Sequence, residues 1–191
     1  MRQSGGREME KNTKMTLLLI LTSLFLLCSC APPVVIPPKW EYEKDAIRLN
    51  LKSDPQLHLF KGVPHTLALC VYSLENPNDF NQLLDEKGGL EKLCECSKFA
   101  PSVTNSRRLI IHPNKEYKEW LDRPTAAKYV AIVAGYYHLQ KENIYRLFSI
   151  PVVEEKKGTF RKTVTQKPGV MKIDLYFGTQ KIEDMVRGKE N

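Results

Sequence analysis

Five cysteines carry most of the reactive chemistry in this chain. A thiol can be acylated, bridged to a second thiol or bound to a soft metal. Cys28 and Cys30 close an apolar run, Cys70 stands alone, and Cys94 and Cys96 form a Cys-x-Cys pair. In an oxidising compartment Cys70 can pair with either Cys94 or Cys96, and the spacing leaves both open. A soft metal on the Cys-x-Cys pair would need further ligands at defined spacing, and none of the histidines His58, His65, His112 and His138 stands near it. His58 and His65 share one stretch, which reads as surface loop. The chain has no Gly-x-Ser-x-Gly elbow, Ser-x-x-Lys, His-Glu-x-x-His or glycine-rich phosphate loop. Asp85-Glu86 and Glu154-Glu155 lie in polar surroundings and read as solvated charge. The residues therefore argue for a protein that is not an enzyme, with no catalytic residue, metal or cofactor expected.

The chemistry that does stand out is at Cys30. Arg2, Arg7, Lys11 and Lys14 precede the apolar run at residues 16–27, and Leu27-Cys28-Ser29-Cys30 follows. That order of charged, apolar and small residues is a secretory signal. Twelve residues rise about 18 Å as a helix, short of the roughly 30 Å of a bilayer core. With Leu27 at −3, Ser29 at −1 and Cys30 at +1, the site has the pattern of a bacterial lipobox, in which the +1 thiol is acylated and the chain is cut before it. Several acyl chains hold stably at about 0.8 kcal/mol per buried methylene. Ala31, where an inner-membrane retention signal has Asp, favours the outer membrane, with the domain facing the periplasm. The signal takes four basic and two acidic residues with it, leaving about +5 of the +7 net charge to the mature chain. That charge is scattered, without a nucleic-acid motif, and reads as solvated surface.

The elements behind the anchor are short. Residues 31–39 hold four prolines and read as an extended polyproline spacer. Ile47, Leu49 and Leu51 alternate with polar residues over 46–52, a strand wet on one side. Residues 53–65, broken by Pro55, Gly62 and Pro64, form a loop with apolar Leu57, Leu59 and Phe60. Residues 66–74 are a second strand, covered on both faces. Asn76-Pro77-Asn78-Asp79 reads as a turn and cap, Phe80, Leu83 and Leu84 as one helical face, Gly88-Gly89 as its stop, and Leu90 and Leu93 as a second short helix. Further strands are expected at 106–112, 117–121, 128–139, 143–150 and 170–178, with residues 181–191 a frayed polar tail. The pattern is all-β, a two-sheet antiparallel sandwich with a short helical insertion after the second strand. The expected divisions are a signal at 1–29, a lipidated cysteine and spacer at 30–45, a sandwich at 46–178 and a tail at 179–191.

The order of these features resembles the TssJ outer-membrane lipoproteins of the type VI secretion system. The resemblance rests on the lipobox at Cys30, Gly62-Val63-Pro64-His65-Thr66-Leu67 after the first loop, Val71-Tyr72-Ser73-Leu74 leading to a helix near Phe80, and Ala127-Lys128-Tyr129-Val130-Ala131-Ile132-Val133-Ala134-Gly135-Tyr136-Tyr137. It implies a transthyretin-like sandwich and a structural part in a membrane complex with TssL and TssM. The lipoprotein would bind the periplasmic C-terminal part of TssM and fix the complex to the outer membrane. By position the partner-binding loop is 53–65, with Leu57, His58, Leu59, Phe60 and Lys61 as its candidate contacts. Cys94 and Cys96 depart from the family pattern, and Tyr145 stands where many members have tryptophan. Other readings of the same residues are a pilot-type or other envelope-assembly lipoprotein, and a periplasmic metal-handling protein using Cys94, Cys96 and a loop histidine.

Overall fold

The computed structural model describes residues 13, 15–18, 34–158 and 163–184. Cys30, the predicted cleavage site and the end of the tail lie outside the described residues. The chain divides into a small unit, Met1–Ile36 with Glu155–Thr165, and a large one, Pro37–Glu154 with Gln166–Asn191. Among the described residues no helix is long and apolar enough to cross a membrane.

The large unit is a two-sheet sandwich. Strand β2 (Glu43–Ser53) turns Ala46, Ile47, Leu49 and Leu51 into the core and leaves Lys52 exposed. It pairs antiparallel with β5 (Glu116–Arg123) and parallel with β10 (Met171–Phe177), which carries β11 (Ile182–Asp184) on its far side. The second sheet has the order β4 (Val103–Ile111), β3 (Leu67–Leu74), β6 (Tyr129–Ala134), β7 (Tyr145–Ser149), all antiparallel. Tyr136 Oη donating to the Lys181 carbonyl at 2.8 Å, and Arg107 lying 3.7 Å from Glu119, join the two sheets.

Strand β3 is covered on both faces, as its unbroken apolar sequence requires. Leu67, Leu69 and Val71 lie buried on one face; on the other, Cys70, Tyr72 and Leu74 lie beneath the helical insertion. That insertion is α1 (Asn78–Asp85) and α2 (Gly89–Leu93). Phe80, Leu83 and Leu84 bury one face of α1, and the Tyr72 ring lies 6.4 Å from Phe80 and 5.3 Å from Phe99. Tyr72 Oη donates to the Leu93 carbonyl at 2.7 Å, and burial pushes this hydroxyl above its usual range. Asn76 Oδ1 accepts the Asn78 N–H at 3.1 Å in the turn before α1. Gly88 takes φ +80°, and at Gly89 an added Cβ would lie 1.9 Å from the Leu83 carbonyl oxygen, so the α1–α2 corner needs both glycines.

A three-stranded sheet has the order β1-β9-β8, in which β1 (Val34–Ile36) pairs parallel with β9 (Thr163–Pro168) and β8 spans Val152–Lys157.

Five expectations need correction. The sandwich is not wholly antiparallel: Ile47 lies opposite Met171 and Leu51 opposite Leu175 in a parallel ladder. Parallel neighbours cannot share a hairpin, and these two are joined through the whole second sheet. The predicted strand at 128–139 stops at Ala134, because Gly135 donates to the Ala68 carbonyl at 2.9 Å and the chain then turns away. The predicted spacer at 31–39 is a strand over Val34–Ile36, three β-branched residues between proline pairs. The tail expected from residue 181 is anchored by β11, where Ile182 lies opposite Phe177 and is buried. Residues 143–150, expected as a strand, begin with the short helix α3 (Lys141–Ile144) before β7.

Candidate partner-binding loop

The loop between β2 and β3 is built rather than slack, and Asp54 is its foot. Asp54 Oδ1 accepts the Gln56 N–H at 2.7 Å, Oδ2 accepts the Tyr176 hydroxyl at 2.6 Å, and its own N–H donates to the Phe177 carbonyl at 2.9 Å. The Tyr176 hydrogen bond, then the one from Gln56, hold this carboxyl below its ordinary value. The same bond pushes the Tyr176 hydroxyl up to about 12. Further along, Leu59 N–H donates to the Thr179 carbonyl at 3.1 Å and His65 N–H to the Leu57 carbonyl at 3.0 Å. The loop is thus tied to β10 and to the segment behind it.

Its tip is a miniature hairpin. Phe60 and Val63 exchange both backbone hydrogen bonds at 3.0 Å, and the two residues between them, Lys61 (φ 51°) and Gly62 (φ 80°), are both left-handed. That is the type I′ geometry favoured in two-residue hairpins, and a glycine at the second position takes it without strain. The Phe60 ring lies 4.0 Å from the Tyr137 ring at 31°, and Lys61 Nζ sits 5.4 Å over the other partner of that stack, Phe60. Val63 and Tyr137 are 55% and 61% exposed, so the tip presents apolar and aromatic surface beside a cation.

The five predicted contact residues divide. Leu57 is fully buried and belongs to the core, so it is withdrawn from the presented set: its N–H donates to the Asp54 carbonyl and the short turn 54–57 points the side chain inward. His58, Leu59 and Phe60 are half-buried and Lys61 is exposed. His58 Nδ1 donates to the Thr66 carbonyl at 2.9 Å, its ring meets Tyr136 edge-on at 5.8 Å, and its buried Nε2 has no hydrogen-bond partner among the described residues. Sequence reasoning missed Val63 and Tyr137. The apolar run at 128–139 hides Tyr137 within an expected strand, and the signal against that is Gly135, a strand-breaking residue inside the run.

Elsewhere the chemistry is structural. Cys70 and Cys96 form a disulfide with Cα atoms 5.0 Å apart, which pins the end of the helical insertion to β3. Cys94 is the free thiol of that trio, and burial, with Glu91 adding to it, pushes it up to about 11. Among the described residues no group of three or more His, Cys, Asp or Glu side chains is gathered closely enough to hold a metal ion.

The site is thus a β-sandwich with a pinned, aromatic-tipped loop. The chain belongs to the family described as "Type VI secretion lipoprotein, VasD, EvfM, TssJ, VC_A0113", whose family model matches residues 45–167. It is therefore a lipoprotein component of the type VI secretion system, in a family that is structural in character. No curated protein matches the chain. Among solved structures it is similar to TssJ1 from Pseudomonas aeruginosa, with 17% identity over 80% of this chain and 98% of that one, at a TM-score of 0.52. The Lip protein of Serratia marcescens, a membrane-bound component of the same kind of system, matches at 13% identity, 74% and 98% coverage and a TM-score of 0.51. A chain in a structure described as the TssM C-terminal domain from EAEC matches at 8% identity, 73% and 97% coverage and a TM-score of 0.53. At these identities the likeness speaks for the fold.

Proposed function

We propose that this protein is the outer-membrane anchor of a type VI secretion membrane complex. Its signal occupies residues 1–29. Acyl chains on Cys30 hold it to the outer membrane, and the sandwich at 46–178 faces the periplasm. The loop between β2 and β3 grips the periplasmic C-terminal part of TssM, in a complex that also contains TssL. The observation that carries this reading is the loop's construction: a foot tied by Asp54 to β10, and a type I′ tip that presents Phe60, Lys61, Val63 and Tyr137. A loop already held in shape loses little entropy on binding, and a few large side chains dominate most interfaces. Membership of the type VI lipoprotein family supports the choice of partner.

The test is binding of the periplasmic region of TssM to wild type and to Phe60→Asp and Tyr137→Ala, with circular dichroism to establish that each variant is folded. We expect losses of about 2 kcal/mol, roughly thirtyfold, as for central aromatic contacts. Undiminished affinity in both folded variants overturns the loop assignment. For the anchor, Cys30→Ser should release a folded domain from the outer-membrane fraction.

A further inference from the structure

We infer that β1 forms a lipid-contact surface that lies on the headgroup layer of the bilayer holding Cys30; the inference rests on the proposed acylation. Val34, Val35 and Ile36 are 63%, 53% and 43% exposed. Three consecutive β-branched residues on an edge strand are a liability unless something covers them. Among the described residues β1 is paired along one edge, by β9, in the sheet order β1-β9-β8.

The covering surface follows from chain length. Val34 lies four positions after Cys30, a reach of about 14 Å at full extension. The headgroup region of one leaflet is itself about 5–8 Å thick. Acyl chains that enter the bilayer at Cys30 therefore keep β1 within the headgroup layer or a few ångström above it. The tether keeps the local concentration of bilayer around β1 high, so weak contacts suffice to seat it. Valine and isoleucine side chains suit the boundary between headgroup and acyl chain. An exposed apolar edge strand fits the boundary of a lipid surface better than it fits water.

The experiment uses the full acylated protein on vesicles of phosphatidylethanolamine and phosphatidylglycerol, with hydrogen exchange read on the peptide spanning residues 34–36. The reference is the same peptide in soluble Cys30→Ser. Exchange on vesicles should be severalfold slower than in that reference. The triple variant Val34→Thr, Val35→Thr and Ile36→Thr keeps β-branching, and hence the ladder to β9, but is polar. It should remain on the vesicles and lose most of the added protection. Equal exchange in vesicle-bound wild type and in soluble Cys30→Ser overturns the inference while leaving the anchor intact. Protection that appears only when the TssM periplasmic region is added, without vesicles, also overturns it, because a protein would then be the occupant. Cys30→Ser that stays on vesicles as firmly as wild type overturns the anchor itself.

Discussion

The Tyr176 hydroxyl donates to Asp54 Oδ2 at 2.6 Å, so a side chain near the end of β10 holds the foot of a loop that begins 122 residues earlier in the chain. Tyr176→Phe removes that donor. We expect about 1 kcal/mol of lost stability, at the low end for a hydrogen bond to a charged group because the pair is partly solvated. The loop should lose more than the core, with faster hydrogen exchange at residues 56–60.

The same contact makes stability depend on pH at both extremes. The Asp54 carboxyl is held below its ordinary 3.8, so its contribution is full above that value and is lost as pH falls through the lower folded value. The Tyr176 hydroxyl is raised from 10.0 to about 12, so its contribution is complete below pH 10 and fades as pH climbs toward 12. Urea unfolding against pH should show both slopes in wild type and weaker ones in Tyr176→Phe.

Leu57 and Phe60 should separate stability from binding. Leu57 is fully buried, and Leu57→Ala should cost about 2–5 kcal/mol in urea or thermal unfolding. Phe60→Ala, at the half-exposed tip, should change stability much less while weakening capture of the TssM region. Equal destabilisation by the two would mean that the tip is part of the core.

The Cys70–Cys96 bridge closes a separation of 26 residues. Chain entropy alone gives it about 3 kcal/mol of stabilisation. Cys96→Ser, or reduction of wild type, should lower stability by about that amount, whereas Cys94→Ser should leave it nearly unchanged. In the folded protein Cys94 should alkylate slowly at pH 8, since its thiol is pushed up to about 11.

Two glycines should respond differently to alanine. At Gly62 (φ +80°) an added Cβ meets nothing within 4 Å, so Gly62→Ala should cost about 1–2 kcal/mol, from backbone strain alone. At Gly89 the Cβ would run into the Leu83 carbonyl at 1.9 Å, and backbone has to move. Gly89→Ala should be the more destabilising of the two by thermal unfolding.

Much of the sandwich was legible because the signal is periodic and local. The alternation of Ile47, Leu49 and Leu51 marks β2, and the spacing of Phe80, Leu83 and Leu84 marks α1. Strand β8 was invisible for the converse reason: Val152–Lys157 is exposed throughout, so no alternation of burial is written into it. Strand β11 is three residues long, and its pairing with Phe177 depends on a turn that its own sequence does not announce. The choice of cysteine was equally non-local. Cys96 takes a left-handed φ of 57° in the turn after α2 and so reaches Cys70, while the Cys94 sulfur lies 3.9 Å from where a Cβ on Gly135 would be. At the candidate site the loop's place was readable from its breakers, but the inward turn of Leu57 and the meeting of Phe60 with Tyr137 are tertiary events.

The parallel pairing of β2 with β10 has a consequence in time. Asn50 Nδ2 donates to Asp174 Oδ1 at 2.6 Å across 124 positions, and the central ladder of the first sheet needs residues as far along as Phe177. Closing so long a loop comes late in folding. A chain threaded outward from its N-terminus would expose β2 with an unfilled edge until nearly all of it had emerged. Folding before the chain is complete is thereby discouraged, and a chain cut short before β10 would be left for chaperones or proteases.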